Sequence, residues 1–400
     1  MSEAGWAALH DGIDPAGTEQ PGNFATIQTA YAAMEPYEPY MGGQPVEDVA
    51  IYFSDNSFMD FADNGTPAGP PTKLGGVPFP HVMAACGAAR ALTEAHVAFG
   101  VITELDLDRL ADYRVMILPD VSRMTGREVD AFRAYVAAGG QVYASGYTSL
   151  VSVDGMQHED FLLADVFGVM LVGEEDGRVA FLTPDADEVR RAVWPQAQLS
   201  QPFNDRWGEA YQPKPLCTAP RVTATSGRRL AHLTLPYGNP RWGTVNEKSW
   251  AAIHSAPPWT ETEHAVLVRN DVGRGRAVYS AFALERSDVA ANRNLFSELV
   301  RELLGGRATL SATARTNVWL SAYDQADSSR VMVALHNYGV EQPAPPERAT
   351  LTVQPPDGRT FVGATDGPGA HVLDTRLGDA GAVLDVELSA ELGFVLVEYV

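Results

Sequence analysis

Cysteine is scarce in this sequence, and its scarcity limits the kinds of site that the chain can carry. Cys86 and Cys217 are the two cysteines among 400 residues, too few for a disulfide framework. Neither lies in a Cys-x-x-Cys motif, and the nine histidines form no His-x-His or His-Glu-x-x-His pair. We therefore expect no metal site and no cofactor, and we expect both thiols to be buried as small apolar side chains.

Basic clusters and long apolar runs are also missing, and we expect no leader segment. Acidic residues outnumber basic ones 51 to 29, which gives a formal charge of −22, and such a surface repels phosphate backbones and anionic lipids. No run of about 18 apolar residues could span a bilayer. Residues 1–14 lack the basic start and apolar centre of a signal peptide. We expect no nucleic-acid partner and no membrane partner, and we predict a soluble, cytoplasmic chain.

An α/β pattern fills much of the first half of the chain. The run VEDVAIYFS (46–54) has the length and apolar content of a buried strand, and a connector rich in Gly and Pro precedes it. Further strands are predicted at YRVMILPD (113–120) and QVYASG (141–146). The helix between them has Thr125 as its N-cap and Gly139 as its stop. This alternation predicts βαβ units and a mostly parallel sheet.

Two changes of pattern set the predicted domain boundaries. Pro- and Trp-rich segments without clear periodicity follow residue 180, before DVGRGRAV (271–278) predicts a hairpin turn and a helix ends at Gly305. The last hundred residues contain short β-rich runs separated by Gly, Pro and Asp turns, which is typical of an antiparallel β-sandwich. We predict boundaries near residues 46 and 310.

The stretch AAGGQVYASGYTSL (137–150) is the obvious place to look for a nucleophile, because a strand there delivers small and hydroxylated residues to a sheet edge. A nucleophile elbow needs Gly-x-Ser-x-Gly, but Tyr143 and Tyr147 occupy the two glycine positions around Ser145. The amidotransferase version of the elbow would need a cysteine, and none is present. We therefore predict no catalytic residue here, and we expect residues 147–149 to pack or to meet a neighbour.

A segment near the N-terminus is a candidate for the rim of a substrate site. A short apolar run arrives at His10, Asp11 and Asp14, as a barrel strand would that presents carboxylates at its carboxyl end. Glycoside cleavage needs a pair of carboxylates from different strands, so these residues alone do not make a catalytic site. A solvated turn explains them equally well.

A second candidate rim lies in the Pro- and Trp-rich segment 239–264. Its Trp242, His254 and Trp259 combine aromatic faces with a polar ring, a combination that could hold a sugar or a neighbouring subunit. The alternative is a loop packed by its own aromatic side chains. Both interpretations stay open on the sequence alone.

Several segments, taken in order, carry a resemblance to a known family. The most specific match joins ILPDVSRMT and YVAAGGQVYASG to DFLLADVFGV, because their combination and order carry more information than any single motif. The other matching segments are LHDGIDPAGT, YAAMEPYEPYMGGQPVEDVAIYFS, HSAPP, VGRGRAVYSAF and VMVALHNYG. Over nearly its whole length the chain resembles the C-terminal part of family 42 β-galactosidase-like glycoside hydrolases.

This resemblance implies an architecture. In that family a catalytic (β/α)₈ barrel precedes a trimerisation domain with a flavodoxin-like, class I amidotransferase-like fold, and a small β-sandwich follows. Residues 1–45 would then be the last strand and helix of the barrel, residues 46–310 the trimerisation domain, and residues 311–400 the sandwich. The family's general acid and nucleophile are glutamates on earlier barrel strands, which have no counterpart in this sequence.

The resemblance also implies a function in carbohydrate metabolism. The chain would serve oligomerisation, and would form part of the active-site rim, of a β-galactosidase-like hydrolase without contributing catalytic residues. The expected partners are further copies in a homotrimer, a carbohydrate ligand, and a separate polypeptide that carries the barrel. The alternative is a free-standing carbohydrate-binding or assembly module without hydrolase activity.

Overall fold

A computed structural model describes residues 21–69, 79–175, 180–193, 196–199, 219–237, 257–339, 345–354, 356, 359–378, 381–388 and 392–400. Contacts between elements divide the chain into two compact units. The α/β unit comprises residues 47–95 and 99–306, and the β unit comprises residues 1–46, 96–98 and 307–400. No helix in the described ranges combines the length and apolar character needed to cross a membrane.

Helices and strands follow one another in the order given by their ranges. The helices are α1 (Pro21–Met34), α2 (Asp55–Phe58), α3 (Pro80–Glu94), α4 (Gly126–Ala137), α5 (Ala164–Phe167), α6 (Asp187–Ala192) and α7 (Ala290–Leu304). Short 3₁₀ helices span Glu35–Tyr40, Phe61–Asp63, Glu104–Asp112, Leu284–Arg286 and Ala326–Ser328. The first strands are β1 (Gln44–Pro45), β2 (Val49–Tyr52), β3 (Met59–Asp60), β4 (Thr66–Pro67), β5 (Phe99–Ile102), β6 (Val115–Leu118), β7 (Gln141–Ser145), β8 (Val169–Glu175), β9 (Phe181–Pro184), β10 (Ala197–Gln198) and β11 (Ala219–Ala224). The later strands are β12 (Arg228–Pro236), β13 (Pro258–Val272), β14 (Gly275–Ser280), β15 (Leu310–Thr313), β16 (Val318–Gln325), β17 (Arg330–Asn337), β18 (Glu347–Val353), β19 (Phe361–Gly367), β20 (Thr375–Gly378), β21 (Gly381–Leu388) and β22 (Leu392–Tyr399).

The α/β unit is built on a mixed sheet. Five neighbouring strands are parallel, in the order β5-β2-β6-β7-β14. Antiparallel pairings of β13, β12, β9 and β10 continue the sheet, and β11 joins β13 to β8. The prediction of a mostly parallel sheet was therefore wrong for half of it. Strands such as β8 bury few of their side chains, so they leave little of the apolar pattern that predicts strands.

The parallel strands form because their residues are apolar on both faces. All four residues of β2 and all four of β6 are buried, as expected of strands covered by helices on both sides. On one face the ring of Phe132 in α4 meets that of Tyr52 at 5.0 Å between centroids, and burial of each such ring contributes about 1.5–3 kcal/mol. The predicted N-cap of α4 is confirmed: Thr125 and Glu128 form a reciprocal capping box.

The β unit contains two antiparallel sheets that enclose a common core. One has the order β1-β16-β17-β22-β19, and the other has the order β15-β18-β21-β20. Alternate residues of their strands, including Val333, Leu351 and Val395, are buried in that core. This is the antiparallel, sandwich-like pattern that the turn-rich sequence predicts.

The segment that follows α1 covers the outer face of the five-stranded sheet. Tyr37, Tyr40 and Met41 pack against a second apolar cluster that includes Met332 and Phe394. The chain then runs along the sheet edge, where Gln44 pairs with Asp324 and Pro45 with Tyr323. The N-terminal segment is thus an integral layer of the β unit.

One expectation about the thiols was wrong. Cys86 is exposed, because it lies on the solvent side of α3 while Ala84, Ala88 and Leu92 face the core. A helical period places residue 86 away from the stripe formed by those three. Cys217 lies outside the described residues.

Candidate functional site

The carboxyl edge of the parallel strands is the place where this fold would hold a ligand. In open α/β sheets a crevice forms where the strand order reverses, just beyond the carboxyl ends of the strands. Here the chain passes from β2 to β5 on one side and then to β6 on the other, so the reversal lies between β2 and β6. The loops after these two strands, and those after β7 and β14, define the edge.

A buried histidine closes the crevice between β2 and β6. His81 comes from the first turn of α3, and its Nε2 accepts a hydrogen bond of 2.9 Å from the backbone N–H of Ser54, which follows β2. Its Nδ1 therefore carries the ring proton and donates to the carbonyl of Pro119, which follows β6, over 2.8 Å. Burial lowers the pKa of His81 to about 4. The ring is neutral at physiological pH, and both of its nitrogens hold the edge together.

Gly146 gives the end of β7 its sharp bend. Its φ is +58°, and a Cβ at this position would lie 2.5 Å from Oδ1 of Asp120. The same oxygen accepts a hydrogen bond of 2.9 Å from the backbone N–H of Tyr147. A left-handed bend after a strand is also the geometry of a nucleophile elbow, but glycine here brings no side chain.

The hydroxyl groups of Ser145, Thr148 and Ser149 at this bend are buried and hydrogen-bonded. Ser145 Oγ donates to Oε1 of Glu285 over 2.5 Å, and Thr148 Oγ1 donates to the carbonyl of Ser145 over 2.7 Å. Ser149 Oγ accepts from the backbone N–H of Leu163 over 3.1 Å. Residues 147–149 therefore pack, as the sequence predicts, and none of these hydroxyls is accessible as a nucleophile.

Two carboxyl groups form the polar centre of the edge. Glu285, which follows β14, accepts hydrogen bonds from Ser145 and from the hydroxyl of Tyr143 at 2.9 Å. Burial is the main cause that raises the pKa of Glu285 to about 7, and burial also raises the pKa of Asp120. Arg286 lies 3.6 Å from Asp120 and partly offsets its charge. A carboxyl with a pKa near neutrality often serves acid–base catalysis, but Glu285 has no exposed surface through which a substrate could reach it.

The sequence offered a weak signal for this cluster. Asp120 lies two residues beyond the apolar strand β6, and a polar residue near the carboxyl end of a buried strand is a recognised indicator of a site. His81 and Glu285 lie in loops or helix starts with no motif around them, and sequence reasoning missed both. Within the described ranges, no three His, Cys, Asp or Glu side chains converge as metal ligands would.

The structure describes one of the six predicted rim residues. Trp259 is 67% exposed, and it lies near the start of β13 rather than in the loop where the sequence predicts it. The ring of Tyr237, itself 50% exposed, meets it edge to face at 4.9 Å between centroids. Because both rings remain open to solvent, this aromatic pair offers an apolar surface with polar edges.

The other rim candidates lie outside the described residues. They are His10, Asp11, Asp14, Trp242 and His254. Their role at a substrate rim stays a prediction.

Comparison with known proteins gives a fold likeness. No family model matches the sequence, and no curated protein matches it. The structure is similar to α-L-fucosidase isoenzyme 2 from Paenibacillus thiaminolyticus, with a TM-score of 0.72 and 20% identity over 98% of this chain and 54% of that one. It is also similar to a β-galactosidase from Bacillus circulans sp. alkalophilus, with a TM-score of 0.63 and 13% identity over 96% of this chain and 46% of that one.

A GH42 β-galactosidase from G. stearothermophilus is a third neighbour, with a TM-score of 0.59 and 12% identity over 96% of this chain and 45% of that one. This chain therefore spans about half the length of each neighbour. Identities this low establish the fold alone. The resemblance to family 42 enzymes is confirmed at that level: the chain has a partial glycoside-hydrolase-like fold.

Proposed function

We propose that this chain is a non-catalytic, assembly-forming part of a β-galactosidase-like glycoside hydrolase. Residues 46–310 would form an amidotransferase-like trimerisation domain, and residues 311–400 would form the C-terminal sandwich. Cleavage of the glycosidic bond by a pair of carboxylates would take place in a barrel whose catalytic residues lie outside these 400 residues. This chain would supply subunit contacts and part of the active-site rim.

The closed carboxyl edge of the parallel sheet is the observation that carries this proposal. Numbered along the chain, the five parallel strands have the order 2-1-3-4-5, which supports a flavodoxin-like assignment. In a working enzyme of that type the edge would be open and would present a reactive group. His81 joins the backbone after β2 to the backbone after β6, and Glu285 is fully buried against the end of β7. We therefore propose that the unit acts through its outer surface rather than through this edge.

Helix α1 supports the assignment of residues 1–45 to the end of a barrel for its own part, residues 21–34, whereas residues 37–45 pack on the β unit. None of its residues is buried, and the large apolar side chains of Phe24 and Tyr31 are 44% and 46% exposed. A helix of fourteen residues rarely leaves its apolar side chains in water unless another surface covers them. The missing barrel strands are the surface that the family architecture would provide.

The exposed aromatic pair supports the rim role. Trp259 and Tyr237 present ring faces of the kind that pack against the apolar face of a sugar ring. The same pair is compatible with the alternative, a free-standing carbohydrate-binding or assembly module. Hydrolysis in the presence of a barrel polypeptide separates the two.

The test combines assembly with activity. Light scattering after size exclusion should give a trimer, and a monomer at high concentration would refute the assembly role. Mixing the chain with a polypeptide that carries the barrel strands should restore hydrolysis of nitrophenyl glycosides, measured on β-galactoside and α-L-fucoside alike. Hydrolysis by the chain alone would refute the non-catalytic assignment, and sugar binding without any turnover in the mixture would favour the module.

A matched pair of tryptophan variants tests the rim. Trp259→Ala should raise the KM of the reconstituted enzyme without changing the thermal stability of the chain, since exposed positions usually contribute less than about 0.5 kcal/mol. Trp319→Ala, at a 44% exposed position in the β unit, is the control and should leave KM unchanged. Equal effects of both variants would contradict a specific role for Trp259.

A further inference from the structure

The β unit contains a pocket that the proposed assembly role does not use. It lies between the N-terminal segment 39–44 and the turn 324–330 that joins β16 to β17, and its volume is about 440 Å³. Pockets for small ligands fall in the range of about 300–1,000 Å³. The space is therefore large enough for a single small molecule.

The walls of the pocket are held in place by hydrogen bonds independent of any ligand. The side-chain amide of Gln325 donates to the carbonyls of Tyr40 and Gly42, over 2.6 and 2.7 Å. Arg330 donates from Nε to Oε1 of Gln325 over 2.6 Å and from its terminal nitrogen to the carbonyl of Pro39 over 3.2 Å. A pre-organised site loses little entropy when a ligand binds.

Close backbone packing adds to this rigidity. Gly43 has a φ of +115°, and a Cβ there would lie 2.7 Å from the carbonyl oxygen of Asp324. Only glycine allows the N-terminal segment to lie this close to the turn. On the other side, the hydroxyl of Tyr399 donates to the carboxylate of Asp324 and fixes its orientation.

The lining combines hydrogen-bond donors and acceptors, and its two carboxylates outnumber its single guanidinium by one charge. Asp324 and Asp327 supply carboxylate oxygens, Arg330 supplies guanidinium donors, and Ser328 supplies a hydroxyl. Pro39 and Met41 add an apolar surface. Two carboxylates beside one guanidinium disfavour phosphates and sugar acids, whereas a neutral polyol can donate to the carboxylates and accept from the arginine.

We propose that this pocket binds a neutral monosaccharide unit, with Asp327 and Arg330 as the principal hydrogen-bonding residues. The assignment is independent of the proposed assembly role, since it needs neither a trimer nor a barrel. Failure to bind a sugar would refute the pocket proposal without refuting the assembly role. A monomeric chain would refute the assembly role without refuting sugar binding in the pocket.

The test is binding by the full chain. Saturation-transfer NMR and calorimetry with D-galactose, L-fucose and D-glucose should detect millimolar binding of at least one sugar. Asp327 is exposed and takes no part in the wall hydrogen bonds described above, so Asp327→Ala should weaken binding about tenfold, which corresponds to about 1.4 kcal/mol. Ser328→Phe, at an exposed position of the lining, should block the pocket and abolish binding.

Controls make each outcome decisive. Asp374→Ala removes an exposed aspartate of the same unit that does not line the pocket, and it should bind like the unchanged chain. Circular dichroism should show that all three variants keep their β structure. The proposal is overturned if no neutral sugar binds, if inorganic phosphate or methylammonium binds instead, or if sugar binding survives both Asp327→Ala and Ser328→Phe.

Discussion

Replacing Glu285 by glutamine tests the closed edge most directly, because it changes the charge of the buried carboxyl while keeping its shape. In the protein, Glu285 accepts from Ser145 and from Tyr143, and it has no exposed surface. A glutamine carbonyl can still accept from the Tyr143 hydroxyl, and its amide can donate to Ser145 Oγ. The substitution therefore removes a titration with little change in packing.

The size of the effect follows from the pKa of Glu285, which burial raises from 4.5 to about 7. A raised carboxyl pKa means that the folded state binds more protons than the unfolded state. The contribution of Glu285 to the free energy of unfolding is therefore fully present below pH 4.5 and is lost as the pH rises through 7. Between about pH 5.5 and about pH 8 this loss amounts to about 2 kcal/mol of the free energy of unfolding.

His81 acts in the opposite direction over part of the same range. Burial lowers its pKa from 6.5 to about 4, so the stability linked to it falls as the pH drops below 6.5. Its contribution rises by about 1.4 kcal/mol between about pH 5.5 and about pH 8. The two trends mask each other in the unchanged protein, so the useful quantity is the difference between Glu285→Gln and the unchanged protein at each pH, in which the His81 contribution cancels.

Urea unfolding gives this difference. Near-ultraviolet circular dichroism follows the fully buried Tyr143 and Tyr279, and so reports on the α/β unit. Relative to the unchanged protein, Glu285→Gln should gain about 2 kcal/mol in stability on going from about pH 5.5 to about pH 8. Glu159→Gln, at an exposed position of the same unit, should show no such gain. A Glu285→Gln difference that stays constant within about 0.5 kcal/mol would refute a raised pKa at this site.

Three further predictions concern the edge and the assembly. Gly146→Ala should lower the free energy of unfolding by about 2–4 kcal/mol, since the added Cβ would clash with Asp120. The control is Gly65→Ala, which has a φ of +72° and open space around it and should lower the free energy of unfolding by about 1 kcal/mol. Equal urea midpoints for the two variants would contradict the clash. His81→Leu should cost about 2–4 kcal/mol in the same assay, because the N–H of Ser54 and the carbonyl of Pro119 lose their partner. The proposed trimer should strengthen with ionic strength, since each copy brings a formal charge of −22, and sedimentation velocity that showed dissociation on adding salt would contradict this.

Local signals in the sequence predicted local structure well. Thr125 and Glu128 have the spacing of a capping box, and the structure forms both of its hydrogen bonds. Gly305 was predicted to end the last helix of the α/β unit, and it does so in the left-handed conformation with a φ of 61°. The predicted turn in DVGRGRAV joins β13 to β14. Each of these features depends on neighbours a few residues away, which is what a sequence pattern records.

Long-range pairing and buried polar contacts were not predictable in the same way. β8, β9, β11 and β12 gain their stability from partners far along the chain, so their own residues need no strong apolar alternation. Glu285 and Ser145 are 140 residues apart and meet only because β7 and β14 pair. The pocket of the β unit arises likewise, from two segments nearly 300 residues apart.

The backbone at the closed edge is strained, and contacts within the edge hold it in place. Asp120 and Ser149 have φ values of 51° and 65°, a conformation that is rare for residues with a Cβ and that usually marks functional sites. Here each is held by contacts with the rest of the edge: Asp120 accepts from Tyr147 N–H, and Ser149 N–H donates to the carbonyl of Val121 over 2.8 Å. The loop after β7 thereby returns to the residues that follow β6, and Glu285 remains fully buried. The strained backbone thus holds the Asp120 carboxylate towards the backbone amide of Tyr147, inside the buried core of the α/β unit.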